Sequence, residues 1–185
     1  MAFDSDKFQH GLMSEYLTLL EPLQHKPIRL LEIGILKGGS LDFWAHYLKH
    51  PDATIVGLDI EPPEAEFAKN VTVYRCDQND GAALRRIADT HGPFDLIIDD
   101  GAHFRRETET CFQVLFERVV PGGYYVIEDW AAGYWKDRPA YAGMVELITD
   151  IVQRVPELKI EAFKLLLSPG KAMAVFRRGL EGWSS

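Results

Sequence analysis

Two apolar stretches of the chain each end in a pair of carboxylates. FDLIIDD ends at Asp99-Asp100, and GGYYVIED ends at Glu128-Asp129. Adjacent carboxylates repel one another, and placing them at the ends of buried strands is costly unless a positive charge lies between them. His103 follows the first pair closely, and an imidazole can exchange a proton near neutral pH. The residues alone therefore predict a positively charged group at this place, with a candidate acid–base side chain beside it.

A single acidic pair would have a simpler explanation. Asp99 or Asp100 could cap the following helix, Glu128 could accept a structural hydrogen bond, and His103 could lie on the surface. Two pairs at neighbouring strand ends, with DGAH continuing one of them, favour the cation. Zinc is disfavoured because the chain has no Cys-x-x-Cys spacing, and Ser40 lacks the G-x-S-x-G context of a hydrolase nucleophile.

Composition limits the class of protein. The 185 residues are 46% hydrophobic and 26% charged, as in one globular domain, and the net charge of -8 argues against binding to nucleic acid or an anionic membrane. No apolar run approaches the ~20 residues of a membrane span, and no secretory signal pattern is present. Cys76 and Cys111 are interpreted as reduced thiols of a cytoplasmic protein. We expect one domain over residues 1–185, with an N-terminal helical segment over 1–25 and a core over 26–185.

Strand and helix patterns alternate along the core. Helices are predicted over residues 8–20 and in SLDFWAHYLKH, DGAALRRIADTH, RETETCFQVLFERV and AYAGMVELITDIVQRV. Strands are predicted in IRLLEIGI, TIVGLDI, VTVYRCD, FDLIIDD and GGYYVIED, and LKIEAFKLLL and KAMAVFRRG form a final hairpin. This order predicts an α/β fold with a mostly parallel sheet, helices on both faces and a C-terminal antiparallel hairpin.

Ligands of such open sheets bind beyond the carboxyl ends of the strands. The acidic residues of this chain gather at those ends: Asp59, Asp77, Asp99, Asp100, Glu128 and Asp129. The sequence therefore predicts that these side chains surround one binding site.

A glycine-rich loop lies between the first strand and its helix. Its pattern is E-x-G-x-x-x-G-G-S, from Glu32 through Gly34 to Ser40. It differs from the G-x-G-x-x-G of pyrophosphate binders, and its acid would attract an amino-bearing ligand. Asp59, at the end of the second strand, is placed to bind ribose hydroxyls. The simpler alternative is that the glycines only form a turn and Asp59 only caps a helix.

In order and spacing, this loop, GLDI and CDQND resemble the class I S-adenosylmethionine-dependent methyltransferases, whose Rossmann-like sheet ends in such a hairpin. The resemblance implies that Gly34 lies against the methionine part of the cofactor, with Glu32 and Ser40 at its polar end. It also implies that Asp59 binds the ribose. Asp77 and Gln78 would lie near the adenine.

The second half resembles the metal-dependent macrocin and mycinamicin sugar O-methyltransferases, whose motif is D-D-G-S-H with a later E-D. Ala102 replaces the serine here. The resemblance implies that Asp100, Glu128 and Asp129 hold Mg²⁺ and that His103 is the general base. Asp99 would lie near the reacting methyl group or behind the ligands.

These expectations describe an O-methyltransferase that uses S-adenosyl-L-methionine and Mg²⁺ on a sugar or small glycosylated natural product. The alternatives are a catechol-like phenol acceptor and a non-catalytic S-adenosylmethionine-binding module. A nicotinamide dehydrogenase is disfavoured because the pyrophosphate fingerprint is missing. The expected partner is a small-molecule acceptor, with no nucleic acid and no membrane, and a homo-oligomer is also considered. The loop over residues 130–139 could be a substrate lid or an ordinary connection.

Overall fold

The sheet of this chain has seven strands in the order β3-β2-β1-β4-β5-β7-β6. The computed structural model describes residues 3–5, 7, 11–134, 137, 139–168 and 171–180. The strands are β1 (Arg29–Ile33), β2 (Thr54–Asp59), β3 (Val71–Arg75), β4 (Phe94–Asp99), β5 (Val119–Glu128), β6 (Ile160–Ser168) and β7 (Lys171–Arg178). The first five strands are parallel to one another, whereas β7 is antiparallel to both β5 and β6. The α/β fold, the mostly parallel sheet and the closing hairpin are confirmed.

Six α-helices accompany the sheet in the described residues. They are α1 (Met13–Leu20), α2 (Gly39–Tyr47), α3 (Gly81–His91), α4 (Arg105–Leu115), α5 (Met144–Gln153) and α6 (Val155–Leu158). Short 3-10 helices span Glu21–Leu23, Phe116–Arg118, Trp130–Tyr134 and Pro139–Tyr141. No described helix is long and apolar enough to cross a membrane.

The starts of two helices differ from the sequence prediction by several residues. The first helix was predicted over residues 8–20, but its described part begins at Met13, and residues 8–10 lie outside the described chain. The helix predicted from residue 140 begins at Met144, because Gly143 adopts φ +97° and separates it from the 3-10 turn before it. A left-handed residue cannot continue a right-handed helix.

Two apolar clusters cover the two faces of the sheet. Leu96, Ile98 and Val126 pack with Tyr16 and Trp44 on one face. Ile97, Tyr125 and Ile127 pack with α4 and α5 on the other. The central strand β4 has no exposed residue, which explains its continuous apolar sequence. Its carboxyl end lies between β1 and β5, where the strand order reverses and ligands of such sheets bind.

Candidate active site

The loop after β1 is held by the end of β2. Asp59 Oδ2 accepts hydrogen bonds from Ile35 N and Leu36 N, each at 3.0 Å, and Oδ1 accepts one from Glu61 N at 2.9 Å. A carboxylate has about four acceptor positions, so these bonds leave capacity for a ligand hydroxyl. Asp59 therefore shapes the glycine loop in addition to its predicted contact with ribose.

Gly34 is required by a close approach of two backbones. It adopts φ +82°, and a Cβ placed on it would lie 2.0 Å from the carbonyl oxygen of Asp100. The end of β4 thus packs directly on the glycine loop, and Asp100 N donates to Ile33 O at 2.9 Å. The sequence predicted this glycine from an approaching ligand, whereas the atom that it accommodates belongs to the protein.

A cavity of about 710 Å³ opens at the carboxyl ends of the strands. Seven of the predicted site residues line it: Gly34, Ser40, Asp59, Asp77, Gln78, Asp100 and His103. The other four do not contribute to its lining: Glu32, Asp99, Glu128 and Asp129. This volume is within the range of small-molecule sites. One cavity therefore joins the side predicted for the cofactor to the side predicted for the reaction.

The strand pleat separates the first acidic pair. Successive side chains of a strand point to opposite faces, so Asp99 and Asp100 face different sides of the sheet. Asp99 is level with Ile33 of β1 and Ile127 of β5. Asp100 continues the face of Ile98, which also carries Glu32 and Glu128. The pair seen in the sequence is therefore two single carboxylates in different surroundings.

Asp99 is buried under the loop that carries His103. Its Oδ2 accepts a hydrogen bond from Tyr125 Oη at 3.1 Å, and its Oδ1 accepts one from Gln78 Nε2 at 3.0 Å. Gln78 Oε1 accepts a further bond from Ala102 N at 2.8 Å. Burial raises the pKa of Asp99 to about 7, although these hydrogen bonds oppose the rise. Asp99 and Gln78 thus support the loop after β4. The sequence did not reveal this contact, because the two residues lie in separate motifs.

On the other face, the ammonium of Lys7 lies among three carboxylates. Its Nζ is 2.7 Å from Glu128 Oε1 and 3.2 Å from Glu32 Oε1, and it donates a hydrogen bond to Asp100 Oδ2. Tyr16 Oη donates to the same Glu128 oxygen at 2.5 Å. The side chain of Lys7 is only 2% exposed. The sequence predicts a positive charge beside these carboxylates, and in the structure Lys7 supplies one.

The charges in this cluster alter one another strongly. Burial lowers the pKa of Lys7, but the charges of Glu128, Glu32 and Asp100 outweigh it and raise that pKa well above its usual value. Burial and the charge of Glu128 raise the pKa of Asp100 well above its usual value, against the effect of Lys7. Burial also raises the pKa of Glu32. One ammonium therefore stays charged, and it only partly offsets three carboxylates.

Glu32 is tied to the protein interior. Its Oε2 accepts a hydrogen bond from Trp44 Nε1 at 2.8 Å, while its Oε1 has the ion pair with Lys7 and no hydrogen-bond partner among the described residues. Ser40 is also buried, and its hydroxyl opposes the rise in the pKa of Glu32. Glu32 thus lies behind the cavity wall, and Ser40 forms part of that wall.

His103 lies between two carboxylates at the open side of the cluster. Its Nε2 is 3.7 Å from Asp100 Oδ1 and 4.0 Å from Asp129 Oδ2. Both His103 and Asp129 have positive φ, at +53° and +51°. Such backbone costs of order 1 kcal/mol for a residue other than glycine and often occurs at functional sites. The strain places the predicted base and one predicted metal ligand on the same side of Asp100.

The donor chemistry of this place fits a hard divalent cation. Asp100, Glu128 and Asp129 offer only carboxylate oxygens, which Mg²⁺ prefers. Lys7 uses one oxygen of Asp100 and one of Glu128, so the other oxygen of each is left for further contacts. Within the described ranges, no three His, Cys, Asp or Glu side chains are grouped closely enough to hold a metal by themselves.

Sequence reasoning missed Lys7 as the partner of these carboxylates. Lys7 is 93 residues from Asp100, and no motif links the two. Tyr16, the other donor to Glu128, is 112 residues away from it in the sequence. Two features of the sequence could have indicated this role of Lys7. The acidic strand ends required a positive charge, and Lys7 comes immediately before the first predicted helix.

Comparison with known proteins agrees with this geometry. A family described as a methyltransferase domain matches residues 31–130. The chain belongs to this methyltransferase family. The matched region of the methyltransferase domain extends from β1 to Trp130, so it contains the glycine loop, most of the cavity lining and both acidic strand ends.

Several named relatives of this methyltransferase domain are O-methyltransferases. An 8-demethyl-8-(2-methoxy-alpha-L-rhamnosyl)-tetracenomycin-C 3'-O-methyltransferase of Streptomyces olivaceus is 40% identical over 75% of this chain and 37% of its own length. The demethylmacrocin O-methyltransferase of Streptomyces fradiae is 38% identical over 72% of this chain and 34% of its own. The chain thus spans just over a third of these relatives.

A solved structure of similar fold is the MycE methyltransferase from the mycinamycin biosynthetic pathway, in complex with Mg, SAH and mycinamycin VI. The two chains superpose with a TM-score of 0.83 at 29% identity, over 99% of this chain and 54% of MycE. The shared part includes the whole seven-stranded sheet.

Proposed function

We propose that this chain is an S-adenosylmethionine-dependent, Mg²⁺-assisted O-methyltransferase that acts on a hydroxyl of a sugar or small glycosylated natural product. One observation carries the proposal: a single cavity is lined by both the glycine loop with Asp59 and the pair Asp100 and His103. A methyl donor on the first side would face an acceptor on the second. The similar O-methyltransferases support the choice of a sugar hydroxyl.

The donor side contains the residues predicted for the cofactor. Asp59, Asp77, Gln78, Gly34 and Ser40 all line the cavity. Asp59 would bind the ribose, Asp77 and Gln78 would lie near the adenine, and Gly34 and Ser40 would lie near the methionine part. Glu32 and Asp99 lie behind the wall, where they would fix Ser40 and the loop after β4 and would not touch the cofactor.

Asp100, Glu128 and Asp129 would hold the divalent cation. When bound there, the cation would polarise the acceptor hydroxyl and stabilise its developing negative charge. These carboxylates stand at the ends of β4 and β5, which are neighbouring parallel strands. In the described residues these side chains are not yet grouped closely enough to share an ion, so binding of the cation would have to draw them together.

His103 would take the proton of the acceptor hydroxyl. Its Nε2 has carboxylates on two sides, within about 4 Å, and their charges stabilise the imidazolium that proton transfer creates. The acceptor oxygen would then form a bond to the sulfonium methyl carbon as the carbon–sulfur bond breaks. The electron pair of that bond remains on sulfur, and the proton remains on His103.

A methyl-transfer screen with labelled S-adenosylmethionine tests this function. Glycosides and catechols are supplied in parallel, each with Mg²⁺, with chelator, and with chelator followed by excess Mg²⁺. We expect transfer to a glycoside hydroxyl that the chelator abolishes and Mg²⁺ restores. Transfer that chelation leaves unchanged would refute the metal role, and preferential transfer to catechols would favour the phenol alternative. The homo-oligomer, the cytoplasmic location and the lid stay predictions.

A further inference from the structure

Among the residues that the structure describes, Lys7 is the one whose side chain contacts all three carboxylates of this face. Glu32, Asp100 and Glu128 come from β1, β4 and β5, and each has an oxygen at its ammonium. Side-chain exposures of 2% for Lys7 and 2% for Glu128 show that the contact is almost fully withdrawn from water. A buried ion pair of this kind has a strongly defined geometry, because separating it would leave charges uncompensated.

The contact uses one oxygen of each strand-end carboxylate. Asp100 gives Oδ2 to Lys7 and directs Oδ1 toward His103, at 3.7 Å from Nε2. Glu128 gives Oε1 to both Lys7 and Tyr16, and these two donors fix its orientation. Asp100 is more exposed than Lys7, at 17% against 2%. Lys7 and Asp100 both line the cavity, whereas Glu128 lies behind its wall.

The charge balance leaves room for a second cation. Three carboxylates surround one ammonium, and Asp129 adds a fourth on the far side of His103. A buried excess of negative charge is unfavourable without further compensation. An ammonium and a divalent cation can therefore both compensate these carboxylates, with the ammonium of Lys7 at the cavity wall.

We propose that Lys7 is a positioning residue that orients Asp100 and Glu128, with Tyr16, so that their remaining oxygens bind the metal. The segment around Lys7 is fastened to α2. Asp4 Oδ2 pairs with Lys37 Nζ at 3.1 Å, and a Cβ on Gly39 would lie 2.0 Å from the carbonyl oxygen of Asp4. Phe3 packs edge-on against Phe43. The N-terminal residues thus form a wall of the site.

This inference rests on the proposed function, and metal binding tests it without methyl transfer. Mn²⁺ binding is measured by electron paramagnetic resonance in the presence of S-adenosylhomocysteine, for the wild type and for Lys7→Met. Partners that orient metal ligands contribute roughly 10–100-fold in metal affinity. We expect the Kd for Mn²⁺ to rise by about that factor in Lys7→Met. Saturating Mn²⁺ should restore much of the lost turnover, which it would not do for a purely structural defect.

Two further variants separate positioning from a general loss of structure. Tyr16→Phe removes only the hydroxyl that holds Glu128, and it should weaken Mn²⁺ binding in the same direction by a smaller factor. Lys164→Met is the control. It removes an ion pair that lies on the surface, between Lys164 and Glu15 of α1 at 2.8 Å, and it should leave the Kd for Mn²⁺ unchanged. Melting temperatures verify that each variant is folded.

The possible outcomes separate a failure of the role of Lys7 from a failure of the proposed function. A wild type that binds no Mn²⁺ would overturn both. Wild-type binding with an equal or tighter Kd in Lys7→Met would overturn only the role of Lys7, and tighter binding would identify its ammonium as a competitor of the metal. Amine acetylation gives an independent check, since Lys7 should be protected relative to Lys37, which is 72% exposed. Equal acetylation of the two lysines would also overturn the inference.

Discussion

Replacing Gly34 by alanine should damage the site through the backbone of Asp100. The new Cβ would lie 2.0 Å from the Asp100 carbonyl oxygen, whereas real Cβ contacts essentially never fall below 3.0 Å. The end of β4 would therefore have to move by about 1 Å, which strains the hydrogen bond from Asp100 N to Ile33 O. The φ of +82° adds about 1 kcal/mol of conformational strain, and overpacking of this kind costs roughly 1–3 kcal/mol.

Gly11→Ala is the matched control for this change. Gly11 also has a positive φ, of +69°, but nothing lies within 4 Å of its Cβ position. It should lose only the conformational part, about 1 kcal/mol, or about 2–4 °C in melting temperature. Gly34→Ala should lose about 2–4 kcal/mol, measured by urea unfolding of both variants beside the wild type.

The same shift should reach the metal ligands. Asp100 is the residue displaced, so Gly34→Ala should also weaken Mn²⁺ binding, whereas Gly11→Ala should not. If the two variants lose equal stability and bind Mn²⁺ equally well, then Gly34 does not hold β4 against the glycine loop, and the reasoning from this close approach is wrong.

Three further predictions follow from the same site. His103→Ala should lower turnover by roughly 10²–10⁴-fold and change cofactor affinity little, and comparable losses in both quantities would contradict its role as base. Asp99 has a folded pKa of about 7, above its unfolded value of ~3.9, so its ionisation destabilises the fold and stability should fall as pH rises between these values. Asp99→Asn should flatten this decline in pH-dependent urea unfolding, and an unchanged slope would refute the assignment. Tyr125→Phe removes a buried donor to Asp99 and should cost about 1 kcal/mol in unfolding free energy; no loss would show that this hydrogen bond is not stabilising.

The fold was predictable because buried parallel strands leave a direct trace in the sequence. FDLIID is apolar almost throughout because both faces of β4 are covered, and the change to an antiparallel hairpin is marked by Ser168-Pro169-Gly170, of which residues 169 and 170 lie outside the described chain. The same logic located the site, since residues at the ends of parallel strands must meet at one edge of the sheet.

The details of the site were less predictable because they depend on side-chain direction and on distant contacts. Asp99 and Asp100 look equivalent in the sequence, yet the pleat sends one to Tyr125 and the other to Lys7. Gly34 looks like a ligand-facing glycine, yet its neighbour is the backbone of Asp100. No local sequence pattern indicates a role for Lys7, because its partners are carboxylates that are distant in the sequence and close only in the folded structure.

The docking of Lys7 also has a practical consequence for handling the protein. Asp4, Ser5 and Lys7 form part of the cavity wall. A purification tag fused on the N-terminal side of these residues could therefore disturb the wall and the contacts of Lys7. We expect metal binding to depend on whether the tag is placed on that side, and Mn²⁺ affinity measured before and after removal of the tag checks this.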